Sequence, residues 1–266
     1  MAIEDMQRRK DELKLSLKDL EKLSGVPAPT IQKIFSGTTA NPRRATLIAL
    51  AGVLAEDRYP YEASSVGAVR EDPAHPKVIF DRQGTYTIED YFALPEDIRA
   101  ELIDGVFYLM ANPSADHQLA AGEVYYQVRD FINRNGGNCL PMIAPFGVQL
   151  DEDDRTMVEP DLIILCERNR LRRRQYFGAP DFVLEVLSPS NRRHDLVRKL
   201  VKYEAAGVRE YWILDPMKEK VTVYLFGEET DIMQYDFDTP IPIGIYDGKC
   251  TIDLQGLKEL LHEIEE

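Results

Sequence analysis

Two acidic residues lie in runs that otherwise have the apolar pattern of buried strands. Asp161 is part of VEPDLIIL at 158–165, and Glu185 is part of FVLEVL at 182–187. Side chains two residues apart share one face of a strand, so both carboxylates are predicted to point into the core. A buried carboxylate is costly unless a cation or hydrogen-bond donors compensate its charge. The simplest explanation is a shared metal ion. The alternative is that one or both strands are misassigned and the acids lie at exposed strand ends.

A lysine is spaced to join this pair. Asp195, Lys199 and Tyr203 recur every fourth residue in a predicted helix over 195–206, so they share one helix face. A lysine on that face could lean back over the end of the strand that carries Glu185. The alternative is an ordinary surface pair between Asp195 and Lys199.

Three further features are candidates for the same chemistry. Glu101 comes just before a predicted hairpin strand and could supply a third carboxylate, or it could be a surface charge. His117, at a predicted helix start, could contact phosphate or a metal, or it could simply cap or pack. A cluster of arginines follows the Asp161 strand and could grip a phosphate backbone or form a solvated loop. Its members are Arg168, Arg170, Arg172, Arg173 and Arg174.

Alternating strands and helices must position these residues, which predicts an α/β fold. The sequence indicates a strand leading into a short helix over 86–91, a hairpin over 101–110 with its turn at 104–105, a helix over 115–133, strands over 139–150, 158–166 and 181–187, the helix over 195–206, and strands over 209–214 and 220–226.

Composition narrows the class of protein. The chain has 266 residues with 44% hydrophobic and 29% charged residues, which is typical of a globular protein. Its longest apolar run, 47–55, is too short to span a membrane, and the first residues lack a signal-peptide pattern, so a cytoplasmic protein is predicted. The three cysteines show no CxxC spacing, so neither a disulfide framework nor a structural zinc site is indicated. Any metal should therefore have oxygen ligands.

The charge is unevenly distributed. The net charge of the chain is −14, made up of +3 for residues 1–54 and −17 for the remainder. An acidic protein does not bind nucleic acid by bulk attraction to phosphates. Any contact with nucleic acid must therefore be local.

Residues 1–55 form a separate helical pattern. Gly25 can adopt the left-handed conformation that ends a helix, and a short second helix is predicted over 30–35. This arrangement is a helix-turn-helix. The pattern is followed by a proline- and glycine-containing linker over 56–84, and residues 85–266 make up the α/β domain.

The order and spacing of these motifs resemble the PD-(D/E)XK nuclease superfamily, and more closely the Uma-type family of restriction-endonuclease-like proteins. The pieces that carry the resemblance are ELIDG at 101–105, His117, EPDL at 159–162, EVLSPS at 185–190, Asp195 with Lys199 and Tyr203, and GVREYWILDP at 207–216. The resemblance implies a restriction-endonuclease-like mixed sheet flanked by helices, preceded by a small all-helical domain.

The resemblance also implies a site and an activity. Asp161, Glu185 and the carbonyl of Val186 would hold Mg²⁺, with Mn²⁺ as a possible substitute, in a phosphodiesterase that cuts DNA. Glu101 and His117 would complete the catalytic set. The superfamily pattern has a lysine where this chain has Leu187, and Lys199 is the candidate for a lysine moved onto the helix. The alternative is a DNA-binding transcriptional regulator whose inactive nuclease fold serves for dimerisation.

The N-terminal pattern resembles the lambda-repressor-like class over about 13–54. That resemblance implies that Ala28, Thr30, Gln32 and Lys33 face the major groove of DNA. It also implies a homodimer, because such domains usually bind paired half-sites. Pro27 and Pro29 remove N–H groups that could otherwise bind phosphate, so contact with a protein is the alternative.

Overall fold

Eight helices and twelve strands are formed by the residues that the structure, a computed structural model, describes: 3–12, 15–39, 42, 44–54, 80, 82–150, 154–187 and 193–265. The helices are α1 (Ile3–Glu12), α2 (Leu17–Ser24), α3 (Ala28–Phe35), α4 (Arg44–Leu54), α5 (Ile88–Phe92), α6 (Ala115–Asn135), α7 (Arg193–Ala206) and α8 (Gln255–Glu265). The strands are β1 (Ala100–Ile103), β2 (Val106–Leu109), β3 (Leu140–Ile143), β4 (Gly147–Gln149), β5 (Leu162–Leu165), β6 (Gln175–Phe177), β7 (Phe182–Val186), β8 (Glu210–Asp215), β9 (Lys220–Leu225), β10 (Asp231–Asp236), β11 (Ile241–Ile243) and β12 (Cys250–Ile252).

A six-stranded mixed sheet forms the centre of the α/β part, in the order β10-β9-β8-β7-β5-β3. Its β7–β8 pair is parallel, and the other neighbours are antiparallel. The parallel pair requires a crossover, and α7 supplies it. The predicted α/β fold class, a mixed sheet flanked by helices and preceded by helices, is therefore confirmed.

The sheet buries both of its faces. Leu162, Ile164 and Leu184 point to the side covered by α6, whereas Ile163 and Val183 point to the side covered by α7. This alternation follows from the two-residue period of a strand. Since Asp161 and Glu185 are in phase with the second set, the side of the sheet that faces α7 carries both acids.

The hairpin of β1 and β2 lies beside this sheet and turns at Asp104-Gly105, as predicted. Both turn residues have positive φ values of 51° and 76°, the conformation that a two-residue hairpin turn requires. Leu102 pairs with Met157, just upstream of β5. The hairpin is thereby fixed next to the end of β5 at which Asp161 lies.

The N-terminal helices form their own core. Met6 of α1, Leu20 of α2, Ile31 of α3 and Leu50 of α4 are buried together. Gly25 ends α2 with a φ of 70°, as the sequence predicted. The second helix begins at Ala28, two residues earlier than expected, because the carbonyl of Pro27 already accepts bonds from the following turn.

Several boundaries differ from the sequence prediction. The predicted strand over 139–150 is two strands in different sheets, since Pro145, which has no N–H group, interrupts the ladder. Tyr86 is not part of a strand; Thr87 caps α5 directly. β5 begins at Leu162, so Asp161 lies immediately before it. The domain boundaries at 55 and 85 stay predictions, since most of 56–84 lies outside the described residues.

The cysteine spacing gave no indication of a disulfide, but the structure contains one. Cys139 and Cys166 are bonded, with their sulfur atoms 2.05 Å apart. Leu140 of β3 pairs with Leu165 of β5, so the next positions outward, 139 and 166, face each other. This pairing comes from the sheet, and a separation of 27 residues in the sequence gave no sign of it. In the described part of the chain, no helix is both long and apolar enough to cross a membrane.

Candidate active site

Asp161 and Glu185 lie opposite each other at one end of the sheet. β5 and β7 are antiparallel with Leu162 paired to Leu184, so the next positions are 161 and 185. The two residues are 7% and 3% exposed, which agrees with the prediction that both acids are buried. Oδ2 of Asp161 accepts a hydrogen bond from the backbone N–H of Val186 at 2.7 Å. Side chains opposite each other on adjacent strands are close enough to share one ligand.

Lys199 of α7 reaches this pair and is itself buried, at 6% exposure. Its Nζ lies 2.9 Å from Oε1 of Glu185 and 2.8 Å from Oε1 of Glu101. The hydroxyl of Tyr203 donates to the same Oε1 of Glu185 at 2.7 Å. The surface-pair alternative for Lys199 is therefore wrong: the lysine links two strand carboxylates. The side chain of Asp195 lies outside the described residues.

Glu101 is a buried residue of β1, not a surface charge at a strand edge. Besides Lys199, its Oε1 accepts the backbone N–H of Glu159 at 2.8 Å. The carboxylate of Glu159 in turn accepts from the hydroxyl of Tyr91 at 2.6 Å and from Arg99 at 3.0 Å. The hairpin thus brings a third carboxylate to the pair on the sheet and fixes its position.

His117 meets the same group from the first turn of α6. Ser114 caps this helix and accepts from the backbone N–H of His117 at 3.3 Å. Nε2 of the imidazole lies 3.0 Å from Oδ2 of Asp161. Its buried Nδ1 has no hydrogen-bond partner among the described residues. The histidine therefore contacts a sequence-predicted site residue directly.

Burial sets the protonation of the cluster. It raises the pKa of Glu185 to about 7; Lys199 opposes that rise, while the charge of Asp161 adds to it. For Lys199, burial lowers the pKa, but the carboxylates of Glu101 and Glu185 outweigh it, so the pKa is raised above the usual value. Burial and Glu185 raise the pKa of the Tyr203 hydroxyl as well. Lys199 is therefore a cation and Tyr203 a neutral donor.

The candidate site opens into one cavity of about 270 Å³. Its polar wall contains Glu101, Asp161, Glu185, Lys199 and His117, and the hairpin and the Ala144-Pro145 segment supply the apolar wall. All five side chains that the sequence suggested for catalysis are therefore brought together. A substrate could reach them through the cavity.

Arg99 also lines this cavity, and the sequence analysis missed it. Its side chain is 34% exposed and is held on one side by Glu159. The available signal was its position two residues before Glu101, since alternate strand residues share a face. That signal was weak because Arg99 precedes β1.

The donor set suits a hard cation that keeps some of its waters. One oxygen of each of Asp161, Glu101 and Glu185 is engaged by a donor. The described residues contain no set of three His, Cys, Asp or Glu side chains arranged to hold an ion. Two carboxylates and one carbonyl nevertheless suffice for Mg²⁺, which retains water ligands.

The helix-turn-helix presents part of the predicted DNA-facing set. Thr30, Gln32 and Lys33 are exposed, while Ala28 is half-buried. The N–H of Ala28 donates to Oε1 of Glu21 at 3.0 Å, and the N–H groups of Thr30 and Ile31 donate to the carbonyl of Pro27. The first turn of α3 is therefore already satisfied, and side chains must make any contact with DNA.

The arginine cluster at 168–174 lies away from this cavity. It follows the last residue of β5, whereas Asp161 precedes the first. Arg168 donates to the carbonyl of Asn138, and Arg172 packs over the ring of Phe177 at 5.7 Å. None of these arginines is part of the cavity wall.

Comparisons with known proteins agree with this architecture. Residues 88–240 match the Uma2 family, described as "Putative restriction endonuclease", and residues 6–57 match a family described as "Helix-turn-helix". A solved structure from Anabaena variabilis ATCC 29413, described as a "putative nuclease belonging to DUF820", is similar with a TM-score of 0.56 and 18% identity, and the match covers 66% of this chain and 98% of that one. At that identity the likeness shows the fold alone. No curated protein matches the chain.

Fold and site together define a restriction-endonuclease-like α/β domain joined to a helix-turn-helix. The chain belongs to the Uma2 family, because the family match covers more than half of its length.

Proposed function

We propose that this protein is a Mg²⁺-dependent DNA endonuclease whose helix-turn-helix selects the DNA. The observation that carries the proposal is the cluster of Asp161, Glu185, Glu101 and Lys199, buried among apolar side chains and yet open to one cavity. Buried charges of this kind are costly to the fold, and they are found where chemistry needs them.

The proposed metal ligands are Asp161, Glu185 and the carbonyl of Val186. When bound, Mg²⁺, or Mn²⁺ in its place, would lower the pKa of a water molecule and offset charge on the phosphate. His117 would orient Asp161 through its contact with Oδ2, as partners of metal-binding carboxylates commonly do.

Lys199 is proposed to act through its charge and not as a base. Its raised pKa keeps a proton on Nζ, so it cannot accept one from water at neutral pH. A fixed ammonium group in a water-poor site stabilises the negative charge that develops on a phosphate. Glu101 would hold the lysine in place, since its carboxylate contacts Nζ together with that of Glu185.

Arg99 is proposed to contact the phosphate of the substrate. Three carboxylates line the cavity, so a phosphodiester entering it meets net repulsion unless cations offset the carboxylates. Lys199 is already paired with two of them, whereas Arg99 is partly exposed and held on one side by Glu159. A guanidinium group can bind two phosphate oxygens at once.

The helix-turn-helix is proposed to bind DNA through exposed side chains of α3, chiefly Thr30, Gln32 and Lys33, with Ala28 at the edge of the contact. Gln32 can hydrogen-bond to adenine, and Lys33 can contact guanine or phosphate. A cytoplasmic homodimer is proposed with it, because paired helix-turn-helix domains bind two half-sites.

The test is cleavage of supercoiled, linear and single-stranded DNA with Mg²⁺ or Mn²⁺. Wild type is compared with Asp161→Asn and Glu185→Gln, which preserve shape and remove charge. Glu204→Gln is the matched control, since Glu204 lies on α7 and contacts Thr230. Cutting by wild type and the control, lost by about 10²-fold or more in the two site variants, is the expected result.

A second candidate is a DNA-binding transcriptional regulator that uses an inactive nuclease fold to dimerise. Leu187, which occupies the usual position of the lysine, is the observation that favours it. Wild type that binds a defined duplex but cuts nothing with either metal would replace the nuclease proposal with this one. Cutting that persists in both site variants would contradict the site assignment.

A further inference from the structure

Helix α4 has an apolar sequence on all sides. After Arg44 its ten remaining residues, ATLIALAGVL, include no charged side chain. A helix that is apolar all round needs partners on more than one side. The N-terminal core accounts for Ala49, Leu50, Val53 and Leu54. The apolar sequence therefore predicts that a second element packs on α4.

That second partner is α7 of the nuclease domain. Both α4 and α2 pack against it, and Val201 of α7 packs against the N-terminal hydrophobic core. A Cβ atom built on Gly25, at the end of α2, would lie 3.8 Å from Cγ of Arg198. The helix-turn-helix therefore contacts the nuclease domain directly through α7.

The two sides of α7 serve the two domains. Lys199 and Tyr203 contact Glu185, and Leu200 is part of the core under the sheet. Val201 is two positions after Lys199, which is a rotation of about 200° around a helix, so it faces the other way. One rigid helix thus carries the active-site lysine on one side and the contact with α4 on the other.

Arg198 extends this contact toward the cavity. Its guanidinium carbon lies 4.5 Å from the ring centroid of Tyr108 on β2, and Tyr108 lines the cavity. Its aliphatic stem lies next to Gly25 of the helix-turn-helix. The residue therefore spans from the N-terminal domain to the hairpin that carries Glu101.

We propose that the helix-turn-helix domain is a structural support of the nuclease site: its packing on α7 fixes the position of Lys199 between Glu101 and Glu185. Val201 is a positioning residue in this scheme, because it acts through Lys199 and touches no substrate. The functional consequence rests on the proposed nuclease activity, whereas the packing itself does not. Because coupling is reciprocal, a ligand that orders the cavity also strengthens the packing of α4 on α7.

The first test is amide hydrogen exchange of the full chain. Val201→Asp places a charge in the contact, and Ala205→Asp places the same charge on an exposed position of the same helix. Val201→Asp is expected to raise exchange by about 10-fold or more in both α4 and residues 198–206, with β7 and β8 unchanged. Ala205→Asp is expected to leave α4 unchanged. Should α4 exchange alike in wild type and Val201→Asp, the inference is wrong.

The second test separates positioning from simple stability. Val201→Asp is expected to lower kcat for plasmid cleavage by about 10-fold or more with little change in KM, since a small displacement of a catalytic group costs rate. Val201→Ile, which keeps an apolar side chain in the contact, should keep kcat at the wild-type value. If Val201→Asp does not fold, Val201→Ala takes its place in both tests. A normal kcat in a variant whose α4 amides exchange faster would overturn the proposal that this packing fixes the position of Lys199.

Failure of the two proposals can be distinguished. If wild type cuts no DNA, the nuclease proposal fails, and the exchange of α4 and α7 still decides whether the helix-turn-helix is packed on α7. If wild type cuts DNA and Val201→Asp matches it in both exchange and rate, only the inference about α7 fails.

Discussion

At the scale of single residues, the site is a balance of buried charges. Glu101, Asp161 and Glu185 bring three carboxylates to one cavity, and Lys199 lies between two of them. Breaking a buried ion pair by removing one partner leaves an uncompensated charge. The lysine therefore holds the metal-free site together, in addition to any role in catalysis.

This balance predicts that Lys199→Met destabilises the protein and that metal compensates. In EDTA, the free energy of unfolding should fall by about 3–5 kcal/mol, because Glu101 and Glu185 lose their shared cation. Added Mg²⁺ or Mn²⁺ should stabilise Lys199→Met more than it stabilises wild type, since a bound cation replaces the missing charge. Urea unfolding with and without metal measures both effects. Equal stabilisation of the two proteins by metal would contradict a metal site beside Lys199.

The pKa of Glu185 makes stability depend on pH. Its pKa is raised from 4.5 to about 7 in the folded protein, so between these values the native state binds more protons than the unfolded chain. The stabilisation is complete below pH 4.5 and is lost as pH rises through 7. Glu185→Gln, which stays neutral, should match wild type near pH 5 and exceed its unfolding free energy near pH 8 by on the order of 1–3 kcal/mol.

Urea unfolding in EDTA at several pH values measures this difference. Glu204→Gln is the control, since Glu204 contacts Thr230 and is not part of the cavity wall. A wild type that is more stable than Glu185→Gln at pH 8 would mean that Lys199 fully compensates an ionised Glu185.

The proposed contact of Arg99 with phosphate predicts that replacing Arg99 weakens the binding of DNA. Arg99→Gln should raise KM for DNA cleavage by about 10-fold or more with a smaller effect on kcat, because a contact with the phosphate is made before and during the reaction. Arg155→Gln is the control, since Arg155 contacts the backbone of Asp104 outside the cavity. A fall in kcat at unchanged KM would instead mean that Arg99 contacts the phosphate only in the transition state.

At the scale of elements, the first turn of α3 limits how the proposed contact with DNA can be made. Its first-turn N–H groups are occupied by Glu21 and Pro27, so the phosphate contact that a free helix N-terminus provides is not available there. Recognition must come from side chains on the exposed face, which Ile31 and Ile34 fix by their burial. The helix therefore has few groups with which to hold DNA.

This arrangement predicts separable effects of two substitutions in α3. On a duplex selected from a random library, Gln32→Ala should reduce the binding free energy by about 1–3 kcal/mol and relax the sequence preference at one base pair. Lys33→Ala should weaken binding to all duplexes alike if it contacts phosphate. Gln7→Ala, at an exposed position of α1, is the matched control. Fluorescence anisotropy measures these affinities. Unchanged affinity in both α3 variants would favour a protein partner for this helix.

At the scale of the whole molecule, the charge is divided between the two parts of the chain. Residues 1–54 have a net charge of +3, and the remainder has −17. A duplex is therefore attracted to one end of the protein and repelled by most of its surface. The proposed cutting of DNA in the cavity therefore requires local contacts that guide the duplex there.

Salt dependence measures the size of these contacts. The slope of log affinity against log salt concentration should be shallow, on the order of −3 to −5, because only a few phosphates are neutralised. Lys33→Ala should reduce its magnitude by about 1. A slope steeper than about −8 would contradict this expectation, because it would mean that DNA contacts an extended basic surface and not the acidic one.

The sequence by itself determined the fold class and most of the site. The two-residue period of strands and the four-residue recurrence of Asp195, Lys199 and Tyr203 are local properties, so they indicated buried acids and a lysine on one helix face. Asp161 and Glu185 were singled out in this way, whereas the choice of Lys199 over an ordinary surface pair came from the resemblance to the nuclease family. The helix-turn-helix was visible because Gly25 is a local signal for the end of a helix.

Only the tertiary structure decided which charges meet. Glu210 lies in a strand like Glu185 and is just as buried, yet backbone and indole N–H groups satisfy it away from the cavity. The Cys139–Cys166 bond, the contact of Arg99 with Glu159 and the packing of Val201 on the N-terminal core likewise join distant segments. Local periodicity fixes the direction in which a side chain points, but its partner depends on sheet order and domain packing, which no local pattern contains.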